Sequence, residues 1–385
     1  MNGIKKPRFG FWSAVFWILV GFGVATGIMR FTRGLGSVTN LSDTFPWGLW
    51  IGFDILCGVG LAAGGFTITA VVYLFHLERF RPIVRPAILT AFLGYLLVVV
   101  GLLFDLGRPW NIWHPLIMWN PHSVMFEIAW CVTLYTTVLA LEFSGMVFEK
   151  LGWTRAVNIQ HAVTIPLVIL GVILSTLHQS SLGALYLIVP GKLHPLWYTE
   201  RLPVIFWLSA VCAGLAMVIV ESRLSARALG RHLEVPIIRT LGRALMGVLG
   251  VLAVFRLRDL AARGVMGLAF HPSYEAALFQ VEFLLGIVLP FVILLVPRMR
   301  RSPKGLYVAS LFTVLGFIAN RLNVSITGLE ASQRHYIPAV GEVLVTAMLV
   351  ALGFGAFKLA AKYLPVYPPL PNVAPPGTVT QLRSK

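Results

Sequence analysis

The chain has 385 residues, of which 57% are hydrophobic and 12% charged, and its mean hydropathy is +0.82. Soluble domains carry about 25% charged residues, so a soluble globular protein is excluded. The net charge of +16 does not mark a nucleic-acid binder, because the basic residues sit in short loops between apolar runs, where they set topology and meet anionic lipid.

Windows of about 20 apolar residues recur along the whole length, each long enough to cross a hydrocarbon core. Ten are found, at roughly 11–29, 47–75, 86–104, 122–145, 161–180, 203–221, 237–255, 276–297, 305–326 and 338–361. No soluble domain fits between them. The expected fold class is an all-α polytopic membrane protein, one integral membrane domain over residues 1–385. The proline-rich end, 364–385, reads as an extended cytoplasmic tail.

The first window follows Lys5, Lys6 and Arg8. It lacks a small-residue cleavage site, so it reads as a signal-anchor helix and not a removed leader. The second carries Trp47, Trp50 and Asp54 at i, i+3 and i+7, which places them on one helical face. Below them "CGVGLAAGG" offers a small-residue surface for close helix packing.

Asp105 and Arg108 close the third window. Glu127 opens the fourth, and Glu142 lies toward its far end. The fifth ends in "STLHQSSLGALYL", with His178, Gln179, Ser180 and Ser181. Glu221 ends the sixth, Glu282 lies in the eighth, Arg321 in the ninth and Glu342 at the start of the tenth. Each ionisable group in a span costs roughly 2.5–3.5 kcal/mol at the helix centre, so each needs a reason.

About two thirds of the 31 Lys and Arg residues fall at the N-terminus, in the loops after the even-numbered windows and at the C-terminal end. The positive-inside rule then puts both termini in the cytoplasm. With that orientation Asp54, Asp105, Glu127, His178, Glu282, Arg321 and Glu342 all lie in the outer third of the membrane. Glu142 and Glu221 alone lie toward the inside. For one such residue an ion pair or an interfacial position is sufficient explanation; the lopsided set is harder to explain by structure alone. Tryptophan is lopsided too. Trp47, Trp50, Trp110, Trp113, Trp119, Trp130, Trp197 and Trp207 belong to the outer side, as an aromatic floor or as ordinary interfacial anchors.

A quinone suits such a set: its tail partitions into lipid, its head takes hydrogen bonds, and its reduction consumes two protons. Histidine, titrating near neutral pH, suits the proton donor. Haem b would need facing histidine pairs inside the bilayer. The nine histidines read as loop or helix-end residues, so no haem is expected. The three cysteines, Cys57, Cys131 and Cys212, form no C-x-x-C, so no metal centre is expected either.

Taken as an ordered set, "GLGSVTNLSDTFPWGLWIGFD", "FDLGRPWNIW", "NPHSVMFEIAW", "LHQSSLGALYL", "HPLWYTERLP" and "NRLNVS" resemble the NrfD/polysulfide-reductase membrane-subunit family. The resemblance is strongest to its HybB-type branch, the integral membrane subunits of periplasm-facing nickel–iron hydrogenases. It implies two four-helix bundles with flanking helices, a reaction with quinone (menaquinone or ubiquinone), and partners that are an iron–sulfur electron-transfer subunit and the nickel–iron hydrogenase. It carries over Asp54, Asp105, Glu127, His178 and Glu282 as candidate catalytic groups. His178, Gln179, Arg108, Arg321 and Trp50 become candidate quinone contacts, and Glu142, Glu221 and Glu342 candidate proton-path residues. A bacterial inner-membrane location follows. Beside this reading stand a secondary transporter, for which no mid-span charge or broken helix speaks, and a passive anchor of a periplasmic oxidoreductase, which would leave the charges unexplained. Proton entry from the cytoplasm would draw on Thr67, Thr69, Tyr73, Tyr95, Thr133, Tyr135, Thr136 and Thr137, unless these hydroxyls bond their own helices.

Overall fold

The computed structural model describes residues 10–189, 191–231, 233–330, 332 and 335–367. Lys5, Lys6 and Arg8, and the proline-rich tail beyond Tyr367, lie outside the described residues. Ten helices are long and apolar enough to cross a membrane: α1 (Phe11–Arg33), α2 (Trp50–Leu74), α3 (Glu78–Asp105), α4 (Val124–Leu151), α5 (Thr154–Ile188), α6 (Leu202–Leu229), α7 (Val235–Ala262), α8 (Tyr274–Leu295), α9 (Pro303–Glu330) and α10 (Val340–Tyr363). No strand occurs among the described residues. The chain is an all-α, multi-pass integral membrane protein, as its apolar windows predict. Backbone polar groups have no water to bond in hydrocarbon, which leaves helices as the spanning element.

The helices close at sequence-readable points. Ser123 Oγ accepts from Phe126 N at 3.4 Å ahead of α4, and Ser273 Oγ from Ala276 N at 3.1 Å ahead of α8. Gly152 and Gly230, with φ of 71° and 63°, end α4 and α6 in the left-handed conformation that costs glycine least.

Helices α2–α5 pack as one four-helix group and α6–α9 as a second, joined where α2 meets α6 and α9, while α1 and α10 pair with each other and flank α2 and α3. The small residues of α2 allow the join. A methyl added to Gly214 on α6 would lie 2.6 Å from Gly64 N. Within the second group, Gly316 of α9 and Gly286 of α8 cross as closely: a Cβ on Gly316 would lie 1.9 Å from Gly286 Cα. The faces turned away from these contacts are apolar and exposed, such as Trp17, Ile18 and Phe22 on α1 and Ile165, Ile169 and Ile173 on α5. In a bilayer these are lipid contacts.

Two local departures from the sequence reading matter for the site. The first two turns of α2, Trp50–Cys57, are π-helical, so the i, i+3, i+7 face does not form. Trp47 precedes the helix and packs edge-on against Tyr186, whereas Trp50 turns toward α10 and Phe104. Further π-helical turns, at Leu284–Val288 and Asn323–Thr327, follow Glu282 and Arg321 directly. Such turns recur at functional sites.

The second departure concerns α5. His178 does not close this helix, whose regular α segment runs from Thr154 to Leu185. Ser180 and Ser181 return their hydroxyls to the carbonyls of Thr176 and Leu177, four residues back, at 3.0 and 2.8 Å. That bond is compatible with a continuing helix. His178 therefore lies inside the span.

Candidate functional site

The ionisable groups of the spans form three main clusters, each built by different helices. The first lies between α1, α2, α3 and α10, at the Lys/Arg-poor end of the molecule. Glu342, in the first turn of α10, has no exposed surface. Its Oε1 accepts from Asn40 N at 2.9 Å and Ala339 N at 3.2 Å, and its other oxygen accepts from the Tyr336 hydroxyl. Trp50 Nε1 donates to the Glu342 backbone carbonyl at 3.1 Å. Its position at the start of a span does not leave it solvated: the backbone N–H of Asn40 and the Tyr336 hydroxyl enclose it. Burial, with the neighbouring Glu342 carboxyl, pushes the Tyr336 phenol up, which keeps it a hydrogen-bond donor. Nearby, Asp54 Oδ2 accepts from Thr346 Oγ1 at 2.8 Å. Asp105 Oδ1 is buried without a partner, within electrostatic reach of Arg30 and Glu342. Arg30 itself donates to the carbonyls of Phe104 and Leu106.

The second cluster lies inside the first four-helix group. His178, Gln179 and Ser175 of α5 have no exposed surface, nor does Tyr95 of α3. The rings of His178 and Tyr95 are 5.8 Å apart, and Tyr135 of α4 meets Tyr95 edge-on at 4.7 Å. Gln179 Nε2 donates to Val59 O at 3.1 Å, which leaves its Oε1 bare. Both ring nitrogens of His178, the hydroxyls of Tyr95, Tyr135 and Ser175, and Gln179 Oε1 are buried and lack protein partners. Each such group costs about 1–3 kcal/mol when left unsatisfied, and native proteins hold only a few, each calling for a reason. Toward the Lys/Arg-poor end, Ser181 Oγ lies 2.6 Å from Glu127 Oε1. Glu127 is exposed on its other side, so this carboxylate joins the buried layer to the surface.

The third cluster fills the second four-helix group, and both oxygens of its central carboxylate are bonded. Glu282 of α8, 4% exposed, accepts from Arg256 Nη2 at 2.9 Å and Asn320 Nδ2 at 3.0 Å on one oxygen. The other oxygen accepts from Asn323 Nδ2 at 2.7 Å and Trp197 Nε1 at 3.1 Å. Asn320 Oδ1 accepts in turn from Arg321 Nη1 at 2.8 Å. Arg321 lies between the rings of Phe206 and Phe317, 3.6 and 4.4 Å from their centroids, and donates to Phe206 O and Ser209 Oγ. Beneath Glu282 is a cavity of about 30 Å³, lined by Ser209, Cys212, Arg256, Thr313, Asn320 and apolar side chains. That is room for one or two waters, not for a quinone head.

Asp54, Asp105 and Glu342 thus share one cluster with Trp50. His178, Gln179 and Glu127 share another, and Glu282 and Arg321 share the third. Arg108 joins none of them; it is exposed beside Trp110. Toward the Lys/Arg-rich end, Glu142 is 9% exposed and Glu221 accepts from Thr90 Oγ1 at 2.6 Å. The hydroxyls of Thr67, Thr69, Thr133 and Thr137 bond carbonyls four residues back on their own helices. Tyr95, Tyr135 and Thr136 remain as unpartnered hydroxyls.

Sequence reasoning missed Arg30, Tyr336, Arg256, Asp259, Asn320 and Asn323. Arg256 and Asp259 stand just past the apolar window 237–255, which hid them as loop charges, yet both are buried. Asn320 and Asn323 bracket Arg321 in "NRLN", and that spacing was the available signal.

The family profile "Polysulphide reductase, NrfD" matches residues 37–331. The chain is 35% identical over 349 residues to the "Probable Ni/Fe-hydrogenase 2 b-type cytochrome subunit" of Escherichia coli (strain K12), covering 89% of each chain. It is 29% identical over 392 residues to the "Menaquinone reductase, integral membrane subunit" of Nitratidesulfovibrio vulgaris, covering 94% of this chain and 92% of that one. A further protein of N. vulgaris is 39% identical over 360 residues, 91% of this chain and 92% of its own. The chain belongs to the NrfD/polysulphide reductase family, and its relatives are membrane subunits of oxidoreductase complexes. The expectation of a chain without haem is corrected by the E. coli relative, whose b-type cytochrome name implies haem. Among the described residues His178 is the one buried histidine, and with both ring nitrogens unpartnered it is the residue that could hold a haem iron. No second buried histidine faces it among the described residues, and His76 and His161 are exposed.

Proposed function

We propose that this member of the NrfD/polysulphide reductase family is the quinone-reactive membrane subunit of a respiratory oxidoreductase in the bacterial inner membrane. Both termini face the cytoplasm in this reading. An iron–sulfur subunit on the periplasmic face passes it electrons from a nickel–iron hydrogenase. The likeness to a hydrogenase subunit and to a menaquinone reductase subunit supports the choice of partner and substrate.

The observation that carries the reading is the buried layer of His178, Tyr95, Tyr135 and Gln179, in which both His178 nitrogens, the two phenol hydroxyls and Gln179 Oε1 have no close hydrogen-bond partner inside the protein. Donors and acceptors held bare in a low-dielectric interior are suited to a substrate that needs hydrogen bonds in one redox state and protons in the next. Reduction of a quinone to the quinol takes two electrons, supplied by the iron–sulfur partner, and two protons, supplied by this chain. His178 and Tyr95 are placed to hold the head and deliver a proton to its oxygen. Glu127, through Ser181, links the layer to the periplasmic surface.

Toward the cytoplasm two carboxyls serve as proton collectors. Glu142 lies seven residues along α4 from Tyr135, about 10 Å of helix rise. Glu221 bonds Thr90, which stands five residues from Tyr95 on α3, about 7.5 Å of rise. Supply from that side makes turnover electrogenic. The test is hydrogen-dependent quinone reduction by the purified complex. It should be lost when this subunit is removed, while the hydrogenase still reduces a soluble artificial acceptor. Quinone reduction at the full rate without this chain would refute the reading.

A further inference from the structure

At the cytoplasmic end the chain beyond α10 does not leave the protein surface at once. Val366 N bonds back to Leu364 O at 2.8 Å, and Val366 has no exposed surface, packed in the apolar cluster of the inner half. Arg85, at the cytoplasmic end of α3, makes two contacts. Its Nη1 donates to Pro365 O at 2.9 Å, and its Nη2 lies 2.5 Å from Glu149 Oε1 of α4. The Arg231 guanidinium, in the loop after α6, stacks over the Tyr367 ring at 3.9 Å. Three separate parts of the protein therefore hold Leu364–Tyr367.

What these residues cover is the Thr90–Glu221 pair. The Tyr367 hydroxyl is buried beside Ser225 and within electrostatic reach of Glu221. Burial pushes the Tyr367 phenol up to about 12, so at working pH it is a neutral group capable of donating and accepting.

We infer that Leu364–Tyr367 is a strap that closes the cytoplasmic mouth over Glu221, and that its release opens this carboxyl to protons from the cytoplasm. The inference rests on the reading of Glu221 as a proton collector for the quinone site. The anchors suit a latch. A carbonyl–guanidinium bond and a ring–cation stack are individually modest, and one valine side chain is a small apolar plug.

The test uses the whole complex in inverted vesicles with Ser225→Cys, which leaves Glu221 in place; the native Cys57, Cys131 and Cys212 are buried. A membrane-impermeant maleimide reaching the cytoplasmic face should label Cys at 225 slowly. Tyr367→Ala should speed labelling roughly 5- to 30-fold, the factor expected from losing a partly desolvated cation–π contact. A chain ending at Leu364 should do the same with every remaining side chain intact. In both, cytoplasmic protons should reach Glu221 faster, so the membrane potential should build faster during quinone reduction. Unchanged labelling in both variants overturns the strap as a cover. Faster labelling with an unchanged potential overturns its control of protons. Absence of quinone turnover in the parent complex would instead count against the quinone reading, whatever the labelling shows.

Discussion

The rings of His178 and Tyr95 stand 5.8 Å apart, from α5 and α3; neither His178 nitrogen has a hydrogen-bond partner in the protein, and the Tyr95 hydroxyl lies beside Ser175 and Gln179. Two groups able to share a proton are thus held in a layer that the helix backbone satisfies only in part, through Val59 O to Gln179 Nε2.

His178→Ala and Tyr95→Phe should each slow quinone reduction by about 10²-fold, the contribution of a positioned proton-transfer group. Hydrogen oxidation with a soluble acceptor should be unaffected. Steady-state assays of the purified complex with both acceptors separate the two. Full quinone rates in either variant would return that residue to a packing role.

Glu282 and Arg256 should behave in the opposite way. Removing one partner of a buried, hydrogen-bonded pair strands the other and costs about 3–5 kcal/mol. Arg256→Ala should therefore lower the thermal midpoint of the detergent-solubilised subunit and its yield in the membrane. Glu282→Gln, which keeps the shape, should do less harm. A loss of quinone turnover in Glu282→Gln with an unchanged midpoint would move this cluster from scaffold to chemistry.

Glu142→Gln should leave quinone reduction measurable but weaken the membrane potential that tight vesicles build during turnover. A potential equal to that of the parent would assign proton supply to the periplasmic side, through Glu127 and Ser181.

Gly316→Val should destabilise the second four-helix group by at least the 1–3 kcal/mol typical of overpacking, since its Cβ would lie 1.9 Å from Gly286 Cα. Gly247→Val on α7, where an added Cβ meets nothing within 4 Å, is the control. Comparable melting of both variants would show that the α8–α9 crossing tolerates separation.

The ten spans were legible because apolar length alone reports them, and the family because its motifs recur in order. That Asp54, Glu282 and Arg321 fall within spans was legible as well. Which helix each faces was not. Asp54 meets Thr346 across 292 positions, and no local periodicity encodes that. His178 was misread as a helix end because the following Gln and serines look like a polar terminus, whereas serine hydroxyls bonded to their own helix remain compatible with a buried span. Arg256 and Asp259 were misread for the converse reason: the apolar run stops, but the helix and its burial continue.

The pairing of α1 with α10 has a consequence for biosynthesis. Helix α10 is the last span to be synthesised, yet it brings Thr346 to Asp54 and caps the pocket in which Asp105 lies. Until it inserts, two carboxyl groups near the outer end of α2 and α3 lack this shield. Each carries an insertion cost of up to roughly 2.5–3.5 kcal/mol if exposed to hydrocarbon. Glu342 binds the amide of Asn40 and, through its carbonyl, Trp50, so the final helix is locked to the earliest part of the chain. A truncated product, or one stalled before residue 340, would display those acidic groups to lipid and to membrane proteases. The pairing of α1 with α10 is therefore completed only when α10 is in place.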